Sequence, residues 1–429
     1  METYEKYKPS GIDWIGEVPG HWEPFRIKYA LSRSAAGVWG DDEKGDENDI
    51  LCYRIADFDY YHGCLMLDNL TTRNIEPKQL EGRIVKKGDL LIEKSGGGDV
   101  SPVGRVVKVN SDQRATYTNF IHSVSVKDGY SSNYLYYYFF NLYALKINLL
   151  FFNQTTGLQN LKVGDYLGQT IFLPPIAEQE AIAAYLDARC ADIDKVVVTQ
   201  QKRIALLQEL KQSEITQAVT RGLNPDARMK DSGVEWIGMV PEHWEVCKLK
   251  YFLNLINGRA YLQHELQEAG KYRILRVGNF FTNDQWYYSD FELEPEKYCE
   301  KGDLLFAWSA SFGPYIWDEE KVIYHYHIWK VLLTRGFNKF YAYYMLQSLS
   351  DYKRKDVHGS TMTHITMESM NQTKIPVPSK DEQAFIAEYL DRRCGEIDKQ
   401  IGAVTKQIEL LREYKQALIT EVVTGKRRV

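Results

Sequence analysis

No run of about 18 apolar residues occurs in the 429-residue chain, so no membrane span is expected. The first residues, Met1-Glu2-Thr3-Tyr4-Glu5-Lys6, carry no apolar signal region, and a cytoplasmic protein is expected. Cysteine is sparse. Cys52, Cys64, Cys190, Cys247, Cys299 and Cys394 form no Cys-x-x-Cys, and no histidine cluster completes a zinc site. They read as small buried hydrophobes in a reducing compartment. No Gly-x-x-x-x-Gly-Lys-Ser/Thr phosphate loop is present. Leu173-Pro174-Pro175-Ile176 lacks the leading acid or amide of a methyltransferase loop. A nuclease metal site is not evident, and Asn224-Pro225-Asp226 reads as a linker turn. His325 and His327 alternate on an apparent strand without a third ligand, so two outward-facing side chains are expected. These absences argue against catalysis by this chain alone. Excess basic charge is missing too: 53 Lys and Arg face 58 Asp and Glu, giving −5. A nucleic-acid-binding face would then require uneven placement of charge, or basic surface added by partners.

The chain does contain a duplicated frame. Ser10-Gly11-Ile12-Asp13-Trp14-Ile15-Gly16-Glu17-Val18-Pro19-Gly20-His21-Trp22 returns as Ser232-Gly233-Val234-Glu235-Trp236-Ile237-Gly238-Met239-Val240-Pro241-Glu242-His243-Trp244. A second repeat runs from Glu178-Gln179 and Glu382-Gln383, where Tyr185-Leu186-Asp187, Arg189-Cys190 and Ile193-Asp194-Lys195 recur as Tyr389-Leu390-Asp391, Arg393-Cys394 and Ile397-Asp398-Lys399. The stretches enclosed by this frame barely resemble each other. A repeated frame around two different inserts suggests a reader with two sites.

Residues 178–220 and 382–424 follow proline breaks and read as long helices. Leu390, Ile397, Val404, Leu411 and Leu418 recur every seven residues, with Cys394, Ile401, Ile408 and Val422 on a second row that Lys415 breaks. This is a coiled-coil seam. The first copy is weaker but in phase: Leu186, Ile193 and Leu207 form one row, and Cys190, Val197 and Ile204 the other. Gln200 and Glu214 interrupt it, and Lys211 matches Lys415. Each helix has the other as its natural partner; the alternatives are that it joins a domain core or binds another protein. A helix of this length spans about 64 Å, enough for a spacer.

The inserts share strand and turn signals. Gly88-Asp89-Leu90-Leu91-Ile92 matches Gly302-Asp303-Leu304-Leu305-Phe306. Small polar loops follow, Ser95-Gly96-Gly97-Gly98-Asp99 and Ser309-Ala310-Ser311-Phe312-Gly313. Tyr-rich helices over 134–143 and 340–349 read as core. Last loops run Asn153-Gln154-Thr155-Thr156-Gly157-Leu158-Gln159-Asn160 and His358-Gly359-Ser360-Thr361-Met362-Thr363-His364. Each insert is expected to be an α+β globule whose loops can approach a base edge or phosphate, with Arg105, Gln154, Gln159, Asn160 and Arg259 as candidate readers.

The duplicated Ser-Gly-Ile/Val-Asp/Glu-Trp-Ile-Gly…Val-Pro-x-His-Trp, the two Pro-x-x-x-Glu-Gln-x-x-Ile helix entries (Pro174 to Ile182 and Pro378 to Ile386), and the Gly302 to Gly313 run resemble those of the specificity subunit of type I restriction–modification systems. The resemblance covers essentially the whole chain. It implies two α+β target-recognition domains separated by two long antiparallel coiled-coil helices with a pseudo-two-fold repeat. The corresponding division is a frame segment at 1–22, a recognition domain at 23–175, a helix at 176–222, a linker and second frame copy at 223–244, a recognition domain at 245–379 and a helix at 380–429. DNA contacts are expected from Ser95, Gly96, Gly97, Arg105, Gln154, Thr155, Thr156, Gln159, Asn160, Arg259, Ser309, Ser311, Ser360, Thr361 and Thr363. The implied partners are double-stranded DNA, two modification (methyltransferase) subunits and restriction (translocase/nuclease) subunits. No cofactor is expected in this chain, with S-adenosylmethionine, ATP and Mg on the partner subunits. The competing readings are a scaffold with two protein-binding domains and a self-contained DNA methyltransferase. One departure is visible: the short motifs lie 222 residues apart and the helices 204, so the first insert is longer, and the acidic 41–49 stretch is expected to be a solvated loop in it.

Overall fold

The long helices divide between two compact units in the computed structural model. Unit 1 comprises residues 1–199 with 407–429, and unit 2 residues 200–406. The structure describes residues 3–98, 100–155, 157–281, 283–309, 312–356 and 365–429. Four helices matter below: α1 (Ser132–Ala144), α2 (Ile176–Arg221), α3 (Lys339–Asp356) and α4 (Lys380–Val423). Each unit holds one end of α2 against the opposite end of α4. In unit 1, Asp194 binds Lys415 and Tyr185 lies under Arg427. In unit 2, Lys211 binds Asp398 and Glu214 binds Arg393. Numbers rise along one helix as they fall along the other, so both segments pair antiparallel.

The seam is buried where heptad positions are apolar: Leu186, Cys190, Ile193 and Val197 in α2, and Leu390, Cys394, Ile397 and Val404 in α4. Leu411, Ile401, Ile204 and Leu207 are only half-buried. The lysines that break the pattern have a partner. The Lys415 Nζ donates to both oxygens of Asp194 at 2.8 and 2.7 Å, and Lys211 to both of Asp398 at 2.7 Å. A cation facing a carboxylate fixes register where another leucine would not. Glu214 likewise accepts from Tyr389 at 2.7 Å and Arg393 at 3.2 Å.

The inserts differ in sequence but share most of one topology; in the second sheets the short fourth strand joins at opposite ends, 41–42 beside 71–74 in unit 1 and 298–299 beside 322–324 in unit 2. Unit 1 has a sheet in the order 31–36, 121–126, 90–93, 106–108, 64–65, 58–59, and a second in the order 115–117, 49–53, 71–74, 41–42. Unit 2 has 253–257, 328–333, 304–307, 313–316, and a second sheet 287–289, 272–275, 322–324, 298–299. Each second sheet contains one parallel pair, 49–53 with 115–117 and 272–275 with 322–324. Apolar side chains fill the space between sheets: Tyr53, Leu91, Val107, Tyr117 and Ile121 in unit 1, and Leu275, Leu305, Val322, Tyr324 and Ile328 in unit 2. The chain passes from sheet to sheet at Gly37 and Gly258. A Cβ there would stand 2.2 Å from the carbonyl oxygen of Thr118 or Tyr324, so only glycine fits. The acidic stretch is exposed over 41–47, but both its ends are stranded: Asp41 and Asp49 each pair with Asn74. Unit 1 also has the additional short strands 58–59 and 64–65 on its first sheet.

The repeated short motifs fasten each insert to its helices. Glu178 accepts from His21 at 2.7 Å and Trp22 Nε1 at 3.1 Å; Glu382 accepts from His243 at 2.8 Å and Trp244 Nε1 at 3.1 Å. Burial raises the Glu382 carboxyl pKa, but hydrogen bonds from His243, Trp244 and Ser379 outweigh it and hold the group below its ordinary value. The adjacent glutamines bridge backbone groups. Gln179 donates to the Pro174 carbonyl and accepts from Ser131 N–H; Gln383 does the same with Pro378 and Asn338. The Tyr-rich helices are core, as their composition predicts, and they face the long helices. Tyr137 and Tyr344 each donate to an aspartate, Asp187 and Asp391, at 2.7 Å. Tyr134 and Tyr341 each donate to a backbone carbonyl, Val423 and Val219, at 3.2 Å.

Four cysteines, Cys52, Cys190, Cys299 and Cys394, are buried; Cys64 and Cys247 are half-buried, and all six are free thiols. No described helix is long and apolar enough to cross a membrane.

Candidate nucleic-acid interface

In unit 1 the polar loops form a small three-stranded ribbon. Ser95–Gly96 pairs with 158–161, which pairs with 152–155. The Ser95 hydroxyl donates to Asn160 Oδ1 at 2.7 Å, and both side chains lie on the outer surface. Gln154 is exposed on the outer strand, and Thr155 ends it. Gln159 turns the other way. It is buried, and its Oε1 accepts from Val103 N–H at 3.2 Å. Strand alternation explains this split: neighbouring residues face opposite sides of a ribbon. Gln159 therefore supports the ribbon from beneath.

Arg105 is a support as well. Its Nε donates to Glu93 at 2.8 Å and its guanidinium lies 3.7 Å from the Tyr60 ring centre. Glu93 is 1% exposed. Burial pushes its carboxyl pKa up, and Arg105 only partly offsets this. A buried carboxylate needs its cation, so Arg105 is committed inside the protein. Arg259 in unit 2 is engaged similarly: it binds Glu265 at 2.6 Å and lies over the rings of Phe291 and Tyr261. Ser309 is buried, and Gly97 is exposed. Thr156, Ser311, Ser360, Thr361 and Thr363 lie outside the described residues.

The expectation for His325 and His327 needs correction. The strand ends at Tyr324; His325 forms an isolated parallel bridge with Arg259, and His327 lies in the turn that follows. They are half-buried. Their rings lie 4.8 Å apart, with Tyr326 against both, Tyr261 stacked near His325, and Trp308 edge-on to His327 at 5.0 Å. Burial, then the neighbouring His327 and Arg276, push the His325 pKa down to about 4, so the ring is neutral near pH 7. Alternation failed here because the turn interrupts the strand. Among the described residues no cluster of His, Cys, Asp or Glu could hold a metal ion.

Comparison with known proteins agrees with this duplicated arrangement. The family model described as the type I restriction modification DNA specificity domain matches residues 57–204 and again 241–408. The matches cover more than half of the sequence, and the chain belongs to this family. It is 27% identical over 296 residues to the MjaX type I restriction enzyme specificity subunit of Methanocaldococcus jannaschii, covering 66% of this chain and 63% of that protein. It is 20% identical over 189 residues to the EcoBI specificity subunit of Escherichia coli, covering 44% of this chain and 40% of that one. The aligned part thus spans less than two thirds of these relatives' lengths. Among solved structures, a chain of a type I R-M system described in terms of complex assembly and conformational transition superposes with a TM-score of 0.70, at 15% identity, over 95% of this chain and 98% of that one. The HsdS subunit from Thermoanaerobacter tengcongensis superposes with a TM-score of 0.51, at 15% identity, over 96% and 98%. At such identities the likeness is one of fold.

Proposed function

We propose that the chain is the DNA-specificity subunit of a type I restriction–modification complex and reads a bipartite duplex target, one half-site per unit. The observation that supports this most is the repetition of most of one topology around two different side-chain sets. A frame that fixes backbone geometry twice while the side chains diverge suits two readers of different sequence. Ser95, Gly96, Gly97, Gln154, Thr155 and Asn160 are the proposed unit 1 surface, with Gln159 and Arg105 beneath it. In unit 2, Arg259 and Ser309 shape the equivalent surface, and Thr156 with Ser311, Ser360, Thr361 and Thr363 extend the proposal to both loop sets. Gln and Asn amides can pair with adenine edges, and small residues let the backbone come close.

Under this reading the chain performs no chemistry itself. Two modification subunits supply adenine methylation with S-adenosylmethionine, restriction subunits supply ATP- and Mg-dependent translocation and cleavage, and the complex works in the cytoplasm. Partner subunits that enclose DNA would also account for a net charge of −5, since the phosphate-neutralising cations need not all lie on this chain. Co-expression of the chain with its modification subunit, followed by long-read methylation mapping, tests the proposal. A methylated motif of two specified halves around an unspecified gap is expected. A continuous motif, or methylation that is independent of this chain, contradicts it.

A further inference from the structure

One three-residue turn occupies the same place in both units, held by the same backbone hydrogen bonds and carrying unrelated side chains. In unit 1 it is Thr118-Asn119-Phe120, between Tyr117 and Ile121; in unit 2 it is His325-Tyr326-His327, between Tyr324 and Ile328. Ile121 N–H donates to the Thr118 carbonyl at 3.0 Å, as Ile328 does to His325 at 2.9 Å. Val38 donates to Tyr117 at 2.9 Å and Arg259 to Tyr324 at 3.0 Å. Gly37 donates to Ile121 and Gly258 to Ile328, both at 3.1 Å. Lys94 donates to Phe120 at 2.8 Å and Trp308 to His327 at 3.1 Å. Leu161 then donates to Lys94 at 2.8 Å, and Ile365 to Trp308 at 3.2 Å. These last bonds tie the turn to strand 158–161 in unit 1 and to Ile365 in unit 2.

The flanking residues are locked. Tyr117, Ile121, Tyr324 and Ile328 are each fully buried. The crossing glycines leave no room for a side chain. The tips are outside: Asn119 is exposed, Phe120 is 41% exposed and Tyr326 37%. A rigid base with an exposed tip is how a scaffold presents recognition groups. The tip chemistry differs between the units. Asn119 can pair with both edge atoms of adenine, and Phe120 can lie on a thymine methyl. Tyr326 offers a hydroxyl. In unit 2 the aromatic neighbours Trp308 and Tyr261 hold the turn, and the Trp308 Nε1 donates to the Tyr326 carbonyl at 2.7 Å.

We propose that Asn119 with Phe120 in unit 1, and Tyr326 in unit 2, are specificity-determining residues, each set reading bases in one half of the target. This rests on the DNA-specificity reading above and adds residues that the polar-loop candidates omit. Asn119 and Phe120 are assigned to an A·T pair; Tyr326 is assigned to a purine edge that presents acceptors.

The test is methylation mapping of full-length Asn119→Ala and Tyr326→Ala chains, each co-expressed with the modification subunit. Both substitutions are at exposed positions. Each variant is expected to relax one position of one half-site, with the preference there falling about tenfold to a hundredfold, and to leave the other half intact. A variant that keeps the wild-type motif unchanged in both halves overturns the inference, while a bipartite wild-type motif keeps the specificity reading. A wild-type chain that directs no bipartite methylation overturns both. If a variant methylates nothing, the affinity of its assembled complex for duplexes decides. Binding of the wild-type duplex reduced to that of a duplex with one half scrambled supports the assignment; unreduced binding overturns it.

Discussion

Replacing Lys415 with Met separates a structural ion pair from a surface one, because the repeat supplies an internal control. Lys415 and Asp194 are each 16% exposed at the side chain, and both carboxylate oxygens take a hydrogen bond from the ammonium. The equivalent Lys211–Asp398 pair has the same geometry, but its side chains are 26% and 55% exposed. Removing the cation from a mostly buried carboxylate leaves an uncompensated charge. Fully buried pairs lose about 3–5 kcal/mol in this way, and exposed pairs at most about 1 kcal/mol. Lys415→Met is therefore expected to destabilise the helix pair of unit 1 by roughly 2–4 kcal/mol, with the remaining water contact reducing the full penalty. Lys211→Met should cost unit 2 less than about 1 kcal/mol. Global unfolding of a chain with two units need not be two-state, so amide hydrogen exchange is the suitable assay. Protection should fall in residues 186–199 and 412–423 for the first variant, and hardly at all in 204–214 for the second. Adding Asp194→Asn to Lys415→Met should restore part of the loss, since the stranded charge is then gone. Equal losses in the two single variants, or no recovery in the double, would refute this account of the seam.

Other perturbations are as direct. Gln383→Ala removes the amide that joins the Pro378 carbonyl to Asn338 N–H, leaving a buried carbonyl and a half-buried N–H unsatisfied; a loss of about 1–3 kcal/mol is expected in unit 2 by amide hydrogen exchange, and a loss below about 0.5 kcal/mol would remove the bridge from the frame. For pH, burial and then Lys94 push the His122 pKa down to about 4, and burial lowers His325 to about the same value. The unfolded rings bind protons at higher pH than the folded ones, so stability falls as pH drops from about 6.5 toward 4 and is fully present above that window. Ring resonances that titrate at 6 or above in the folded chain would contradict this burial.

The duplicated frame was legible in the sequence because its physics is local. Heptad spacing, proline breaks and a repeated tryptophan motif mark α2 and α4 without knowledge of the rest. Lys211 and Lys415 could be seen as matched interruptions, but their carboxylate partners lie on another helix about 200 residues away, beyond any periodicity. The shared topology of the inserts was hidden for a related reason. Strands of two to six residues acquire their partners through distant pairing, and the two units keep most of the pairing while changing the side chains. Arg105 and Arg259 read as candidate base contacts because a guanidinium can bind a purine edge with two hydrogen bonds; their pairing with Glu93 and Glu265 depends on the folded chain and is not visible in the sequence. The alternate spacing of His325 and His327 suggests continuous strand, while the backbone there is set by hydrogen bonds with Trp308 and Arg259.

The central claim is that two independent sensors share one repeated frame. Exchange of residues 245–379 for the corresponding segment of another specificity subunit, followed by methylation mapping in cells, tests it most directly. One half of the methylated motif should change and the other should persist. Alteration of both halves together, or of neither, would contradict the account.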